Sequence, residues 1–187
     1  MMPKTYIEDE FFEKINFLTE GEYENCGFSN CDFSNSNLSE MTFIECEFSD
    51  CNLTTAQIKN SAFREVRFKG CKMMGLRFDS CNPFLLEFEF ENCNLNHSVF
   101  FKLKLKNTKF RDSTLHEVDF TETDLSGAKF ENCDLKGATF ISSNLEKTDF
   151  RTAHNYSIDL ESNRIKKAKF SSAGIAGLLD KYDIVIE

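Results

Sequence analysis

Every fifth residue from Leu18 to Phe78 is apolar, and after a two-residue slip every fifth residue from Leu85 to Phe150 is apolar as well. The chain is 41% hydrophobic, so a chance arrangement would leave more than half of these positions polar. No regular secondary structure has this period. Five helical steps of roughly 100° carry a side chain about 140° around the axis, off its starting face. Five is also odd, so an uninterrupted strand would throw successive members to opposite sides. The chain must turn a corner in every repeat, which makes it one continuous array around a shared interior.

A second inward position lies two residues before each centre. It holds Cys26, Cys31, Cys46, Cys51, Ala56, Ser61 and Cys71, then Cys93, Ser98, Thr108, Ser113 and similar small residues. A narrow interior demands small side chains where a large one already fills the middle of each wall. The intervening Asp, Asn, Glu, Lys, Ser and Gly suit turns and water. All eight cysteines fall on this inward position, including Cys81 just before the slip. The repeat therefore accounts for them as buried free thiols of a reducing compartment, without a disulfide or metal set. His97, His116 and His154 are isolated, the first two at outward positions. With no Ser-His-Asp order, phosphate loop or metal motif, neither catalysis nor a cofactor is expected.

Stretches such as Cys31-Asp32-Phe33-Ser34-Asn35, Ala128-Lys129-Phe130-Glu131-Asn132 and Cys133-Asp134-Leu135-Lys136-Gly137 resemble the units of pentapeptide-repeat proteins. The resemblance covers residues 18–150. It implies an all-β fold, a right-handed quadrilateral β-helix with one pentapeptide per wall. Columns such as Leu85, Leu105, Leu125 and Leu145, or Phe90, Phe110, Phe130 and Phe150, should then stack coil on coil. At about 4.8 Å per coil the rod would be about 30 to 35 Å long.

Three segments follow. Residues 1–17, with Phe11, Phe12, Ile15 and Phe17, read as an apolar lid. Residues 18–150 form the solenoid, broken at 79–84, where the slip is either a kink between two subdomains or a contact loop. Residues 151–187, beyond the period's apparent end at Phe150, form a capping and dimerisation segment. No signal peptide and no long apolar run is present, so a cytoplasmic protein with no membrane contact is expected.

Charge is banded. Residues 1–58 carry Lys4 and Lys14 against twelve acids, and residues 59–82 carry six bases against two acids. Lys102, Lys104, Lys106, Lys109 and Arg111 make a basic band, and residues 112–150 return to a net charge of −6. Carboxylates flank corners in pairs, Glu45 with Glu47, Glu117 with Asp119, and Glu122 with Asp124. Others should stack along the axis, Glu20 above Glu40 and Glu45 above Glu65. A slender rod bearing such rows has the outline and charge of duplex DNA and could fill a basic DNA groove without binding nucleic acid itself. Solubility of a thin, surface-rich protein accounts for the same charge.

Residues 171–179 read as a capped short helix with Ile175, Leu178, Leu179 and Tyr182 on one side. Ile184, Val185 and Ile186 give a short strand signal. Together they would cover the open end of the solenoid, and an apolar face too large for one cap favours a homodimer through Ile175, Leu178, Leu179, Tyr182, Ile184 and Ile186. This tail, together with Asn25-Cys26-Gly27-Phe28, Cys31-Asp32-Phe33 and Phe43-Ile44-Glu45-Cys46-Glu47-Phe48, resembles the quinolone-resistance members of the pentapeptide-repeat family. That resemblance implies an end-to-end dimer that mimics DNA and binds a type II topoisomerase, gyrase above all, with Glu20, Glu40, Glu45, Glu47, Glu65, Glu117, Asp119, Glu122 and Asp124 as the docking carboxylates. Many plasmid-borne members carry two outward loops that help protect gyrase from drug. The repeats run unbroken where those loops would be expected, which puts drug protection in doubt more than topoisomerase binding. The other reading is an interaction scaffold for a different protein partner.

Overall fold

The computed structural model describes residues 5–185, and the five-residue period has a direct backbone cause in it. A left-handed residue recurs at five-residue intervals: Asn25 (φ 50°), Asn30 (52°), Asn35 (57°), Glu40 (62°), Glu45 (53°) and Asp50 (54°) begin the series. Each places one αL corner between short extended segments, so the chain changes direction once per repeat. Asn and Asp dominate the early corners because a short polar side chain tolerates this conformation better than other non-glycine residues do.

Eleven short strands result: β1 (Thr5–Glu8), β2 (Phe11–Glu13), β3 (Gly21–Glu24), β4 (Gly27–Ser29), β5 (Thr42–Ile44), β6 (Glu47–Ser49), β7 (Ala62–Arg64), β8 (Val66–Lys69), β9 (Phe88–Glu91), β10 (Lys109–Arg111) and β11 (Lys129–Glu131). They form two parallel sheets, ordered β1-β3-β5-β7 and β2-β4-β6-β8-β9-β10-β11. The other two walls are closed by isolated parallel bridges, one running Arg77, Val99, Asp119, Thr139 and the other Asp32, Asn52, Lys72, Asn94, Thr114, Asp134, His154. Four walls wound by parallel crossovers make a right-handed quadrilateral β-helix.

Wall centres stack as expected. Phe28 lies 4.5 Å from Phe48, Phe78 lies 4.5 Å from Phe100 and Phe110 lies 4.8 Å from Phe130, with rings nearly parallel. The small inward residues donate to carbonyls one coil earlier: the Cys46 thiol to Tyr23 (3.3 Å), the Cys71 thiol to Phe48 (3.2 Å), the Ser61 hydroxyl to Leu38 (2.7 Å) and the Ser143 hydroxyl to Phe120 (2.7 Å). These bonds satisfy polar groups that would otherwise be costly inside. All eight cysteines are buried free thiols. Burial pushes the Cys46 and Cys133 thiols up to about 12.

The structure differs from the sequence reading at four places. Leu85 is not an inward centre: it is 64% exposed, in left-handed conformation (φ 56°). Phe88 fills the vacated interior instead, 1% exposed and packed 5.5 Å from Phe63, 5.2 Å from Phe78 and 6.1 Å from Phe68. Two extra residues are absorbed within this one wall, so its centre is lost and a large ring at the normally small position reaches across. The sheet β1-β3-β5-β7 ends here, whereas the neighbouring sheet passes straight through from β8 to β9.

The winding also continues beyond Phe150. Bridges join Asn144 to Arg164 and Asp149 to Lys169, Tyr156 and Ile158 are buried, and Phe170 stacks on Phe150 at 5.3 Å. At the start, β1 and β2 extend the ladder by pairing with β3 and β4, and Phe12 stacks on Phe28 at 5.2 Å, while Phe11 and Phe17 face solvent. A Cβ at Gly21 would strike the Thr5 carbonyl oxygen, so this close pairing requires glycine. At the other end the helical turn is 3-10, Ser172–Leu178, with the Ser171 hydroxyl accepting from the Gly174 amide at 3.2 Å. A second 3-10 turn spans Asp180–Tyr182. The Ile158 amide donates to the Gly177 carbonyl at 2.9 Å, tying the turn to the last coil. Ile184 and Val185 lie in no strand, and Ile186 falls outside the described residues. Among the described residues no helix is long and apolar enough to cross a membrane.

Candidate partner-binding surface

The corner residues decide how the carboxylates are displayed. Glu40, Glu45, Glu65, Glu117 and Glu122 all occupy left-handed corners, with φ between 53° and 62°. Such a conformation costs a non-glycine residue roughly 1 to 2 kcal/mol relative to a right-handed one. Glutamate at these corners holds its carboxylate outward, where Glu40, Glu117 and Glu122 meet residues of the neighbouring coil.

The predicted residues divide into two groups. Glu45, Glu47 and Glu65 converge on one shallow groove, lined also by Asn25, Gly27, Cys26, Cys46 and Arg67. The register that pairs Thr42 with Ala62 and Ile44 with Arg64 puts Glu65 one coil beyond Glu45, as anticipated. Glu20 and Glu40 lie at the next corner around, in the register that sets Glu22 opposite Thr42, and the Asn60 amide donates to Glu40 at 2.6 Å. Between these corners, strand β3 presents Glu22 and Glu24, which the sequence reading passed over. Their signal was present, since they flank the inward centre Tyr23 and must point out. Glu24 accepts from the Tyr6 hydroxyl at 2.7 Å and raises its pKa well above the usual phenol range.

The second group stands farther along the rod and is already engaged. Glu117 is 3.3 Å from His97 Nδ1 and Glu122 is 3.3 Å from the Lys102 ammonium. Asp119 accepts from the Thr121 amide at 2.8 Å, and Asp124 accepts from the Ser126 amide and lies 3.5 Å from Lys106. Burial raises the Asp124 pKa, but Ser126 and Lys106 outweigh it and hold the group below the ordinary carboxylate value. Similar pairing covers the long sheet: Arg67 with Glu89, Lys109 with Glu89, and Arg111 with both Glu91 and Glu131. Among the described residues, no ion pair engages Glu20, Glu45, Glu47 or Glu65. Unneutralised negative charge is therefore concentrated on the first coils, around β3 and the Glu45 groove.

Of the predicted dimer residues, Ile175, Leu178, Leu179, Tyr182 and Ile184 lie together at the C-terminal end. Ile175, Tyr182 and Ile184 are about half exposed, whereas Leu178 packs against the core and Leu179 is partly covered. The Lys181 ammonium bridges Asp159 (2.7 Å) and Glu161 (2.8 Å), fixing the 3-10 turns to the final coil.

The chain is similar in fold to a trypsin-treated form of QnrB1, a plasmid-mediated fluoroquinolone resistance protein, with a TM-score of 0.51 at 23% identity over 98% of each chain. It is also similar to HetL, involved in heterocyst differentiation regulation in Nostoc sp. strain PCC 7120, with a TM-score of 0.54 at 14% identity over 91% of this chain and 86% of that one. No curated protein sequence matches it. The model of the pentapeptide repeat region matches residues 21–83, 46–120 and 76–150. With those matches spanning most of the chain and the coils wound as such repeats require, the protein belongs to the pentapeptide-repeat family.

Proposed function

We propose that this protein is a DNA-mimicking binding protein whose partner is a type II topoisomerase, DNA gyrase in particular, in the cytoplasm. The observation that carries this reading is a carboxylate surface on the first coils that no cation neutralises among the described residues, Glu20, Glu45, Glu47 and Glu65 with Glu22 and Glu24 between them. Rows repeating at about 4.8 Å along a rod approach the charge density of a duplex strand, about one phosphate per 3.4 Å. The binding is non-covalent and needs no cofactor. The likeness in fold to QnrB1 supports quinolone or topoisomerase-toxin tolerance as the biological consequence. The apolar C-terminal end, with Ile175, Tyr182 and Ile184, forms the homodimer contact, which would double the length of the rod. Glu117, Asp119, Glu122 and Asp124, held by cations and backbone amides, are secondary contacts.

The test is a supercoiling titration with purified gyrase, with and without a fluoroquinolone. Wild type inhibits supercoiling or restores it in the presence of drug, the effect weakens as salt is raised, and Glu45→Lys/Glu47→Lys loses it while remaining folded. A folded protein inert in both formats supports the alternative, an interaction scaffold for another partner.

A further inference from the structure

The interruption at residues 82–87 projects an apolar pair from the flank of the rod. Phe84 and Leu85 are 62% and 64% exposed. The loop is nevertheless held firmly. The Asn82 amide donates to Ser61 at 3.0 Å and the Glu87 amide to Phe63 at 3.1 Å, pinning both ends to the β7 wall. The Asn82 side chain accepts from the Phe84 amide at 3.0 Å. Leu85 is kept in a left-handed conformation that branched apolar residues rarely adopt, and that conformation turns its side chain away from the interior.

Charge around this tip is unlike that of the acidic coils. The Arg64 guanidinium lies 5.6 Å from the Phe84 ring centroid, and its Nε is buried without a hydrogen-bond partner. Lys104 belongs to the same wall on the following coil, where its backbone pairs with that of Asp124. Among the described residues neither Arg64 nor Lys104 has an ion pair. The loop thus offers two exposed apolar side chains, with the Arg64 cation against one of them and a second unpaired cation, Lys104, on the same wall one coil farther along.

We infer that residues 83–86 form a docking element for an acidic protein segment, with Phe84 and Leu85 as its anchors. Carboxylates of that segment meet Arg64 and Lys104. A flat anionic membrane fits less well, because it would meet Glu65 and Glu87 at the adjoining corner and a chain of net charge −9, whereas a peptide can place its carboxylates beside the two cations alone. This surface is separate from the carboxylate rows and its test does not depend on topoisomerase binding.

The experiment is selection of a random dodecapeptide phage library on the immobilised full chain, followed by affinity measurement of synthetic winners. Enriched peptides should combine Asp or Glu with an aromatic or aliphatic residue, and should bind Phe84→Ser/Leu85→Ser at least tenfold more weakly while binding Glu45→Lys/Glu47→Lys unchanged. If the loop variant fails to fold, Lys104→Glu gives the same readout at an exposed position. Failure to enrich such peptides overturns the inference, as does undiminished binding to the loop variant or to a folded Lys104→Glu. Loop-dependent capture on phosphatidylserine vesicles in place of peptide binding overturns it in favour of a lipid surface.

Discussion

Replacing Phe88 and Leu85 separately by alanine tests the register across the interruption, because the five-residue period and the three-dimensional structure assign the interior to different residues. Phe88 is 1% exposed and touches four rings, Phe63, Phe68, Phe78 and Phe90, at centroid distances of 5.5, 6.1, 5.2 and 5.5 Å. Truncating a buried phenylalanine removes its transfer free energy and leaves a cavity, about 3 to 5 kcal/mol in all. The parallel coils on either side are fixed by their hydrogen bonds and cannot collapse into the gap, which places the expected cost in the upper part of that range. For a chain of this length each kcal/mol lowers Tm by about 2 to 4 °C, so Phe88→Ala should lose about 8 to 20 °C. Leu85→Ala should change stability by no more than about 0.5 kcal/mol, as usual for an exposed site. Urea denaturation followed by far-ultraviolet circular dichroism measures both. The reasoning is refuted if Leu85→Ala costs more than Phe88→Ala, or if Phe88→Ala costs less than about 1 kcal/mol.

The thiols give a second expectation: with all eight cysteines buried and the Cys46 and Cys133 thiols raised to about 12, Ellman's reagent at pH 8 should label none in the native state and all in guanidinium. Asp149 is held below the usual carboxylate pKa chiefly by its bond from Arg151, and Asp32 by Ser34. A depressed folded pKa contributes stability that is present above the unfolded value of about 3.9 and is lost as pH falls through the folded value. Tm should therefore drop below about pH 4, and Asp149→Asn should show a shallower drop than wild type; an equally steep profile would remove Asp149 from the account. Ile175→Asp places a charge on the apolar end and, if the proposed homodimer forms there, should yield monomers in light scattering without altering the circular dichroism spectrum.

Much of the architecture was legible because the repeat is written in side chains that the backbone corner forces inward. Phe28, Phe48, Phe110 and Phe130 were readable as wall centres, since no helix or continuous strand would bring fifth residues to one face. The cysteines were readable as core for the same reason. Leu85 misled because it keeps the period's chemistry while the chain beside it has two residues too many. Which residue then fills the interior depends on how the excess is distributed along the wall, and local composition does not encode that. The end at Phe150 misled in the opposite way: Tyr156 replaces a centre one position off the period, yet the hydrogen-bonded coils continue. On the candidate surface, the outward carboxylates could be named from spacing, but not their neutralisation. His97 and Glu117, or Lys102 and Glu122, are 20 residues apart and meet only because coils stack.

The sequence alone determined that this chain bends at every fifth residue, wraps Phe and Leu around a common axis and leaves its acids outside, because the period is incompatible with any other arrangement of those side chains. Only the tertiary structure decided which carboxylates stay unpaired, which wall absorbs the extra residues and which aromatic ring closes the gap. Those outcomes depend on contacts between successive coils, whose partners are set by accumulated register along the whole rod rather than by neighbours in the chain.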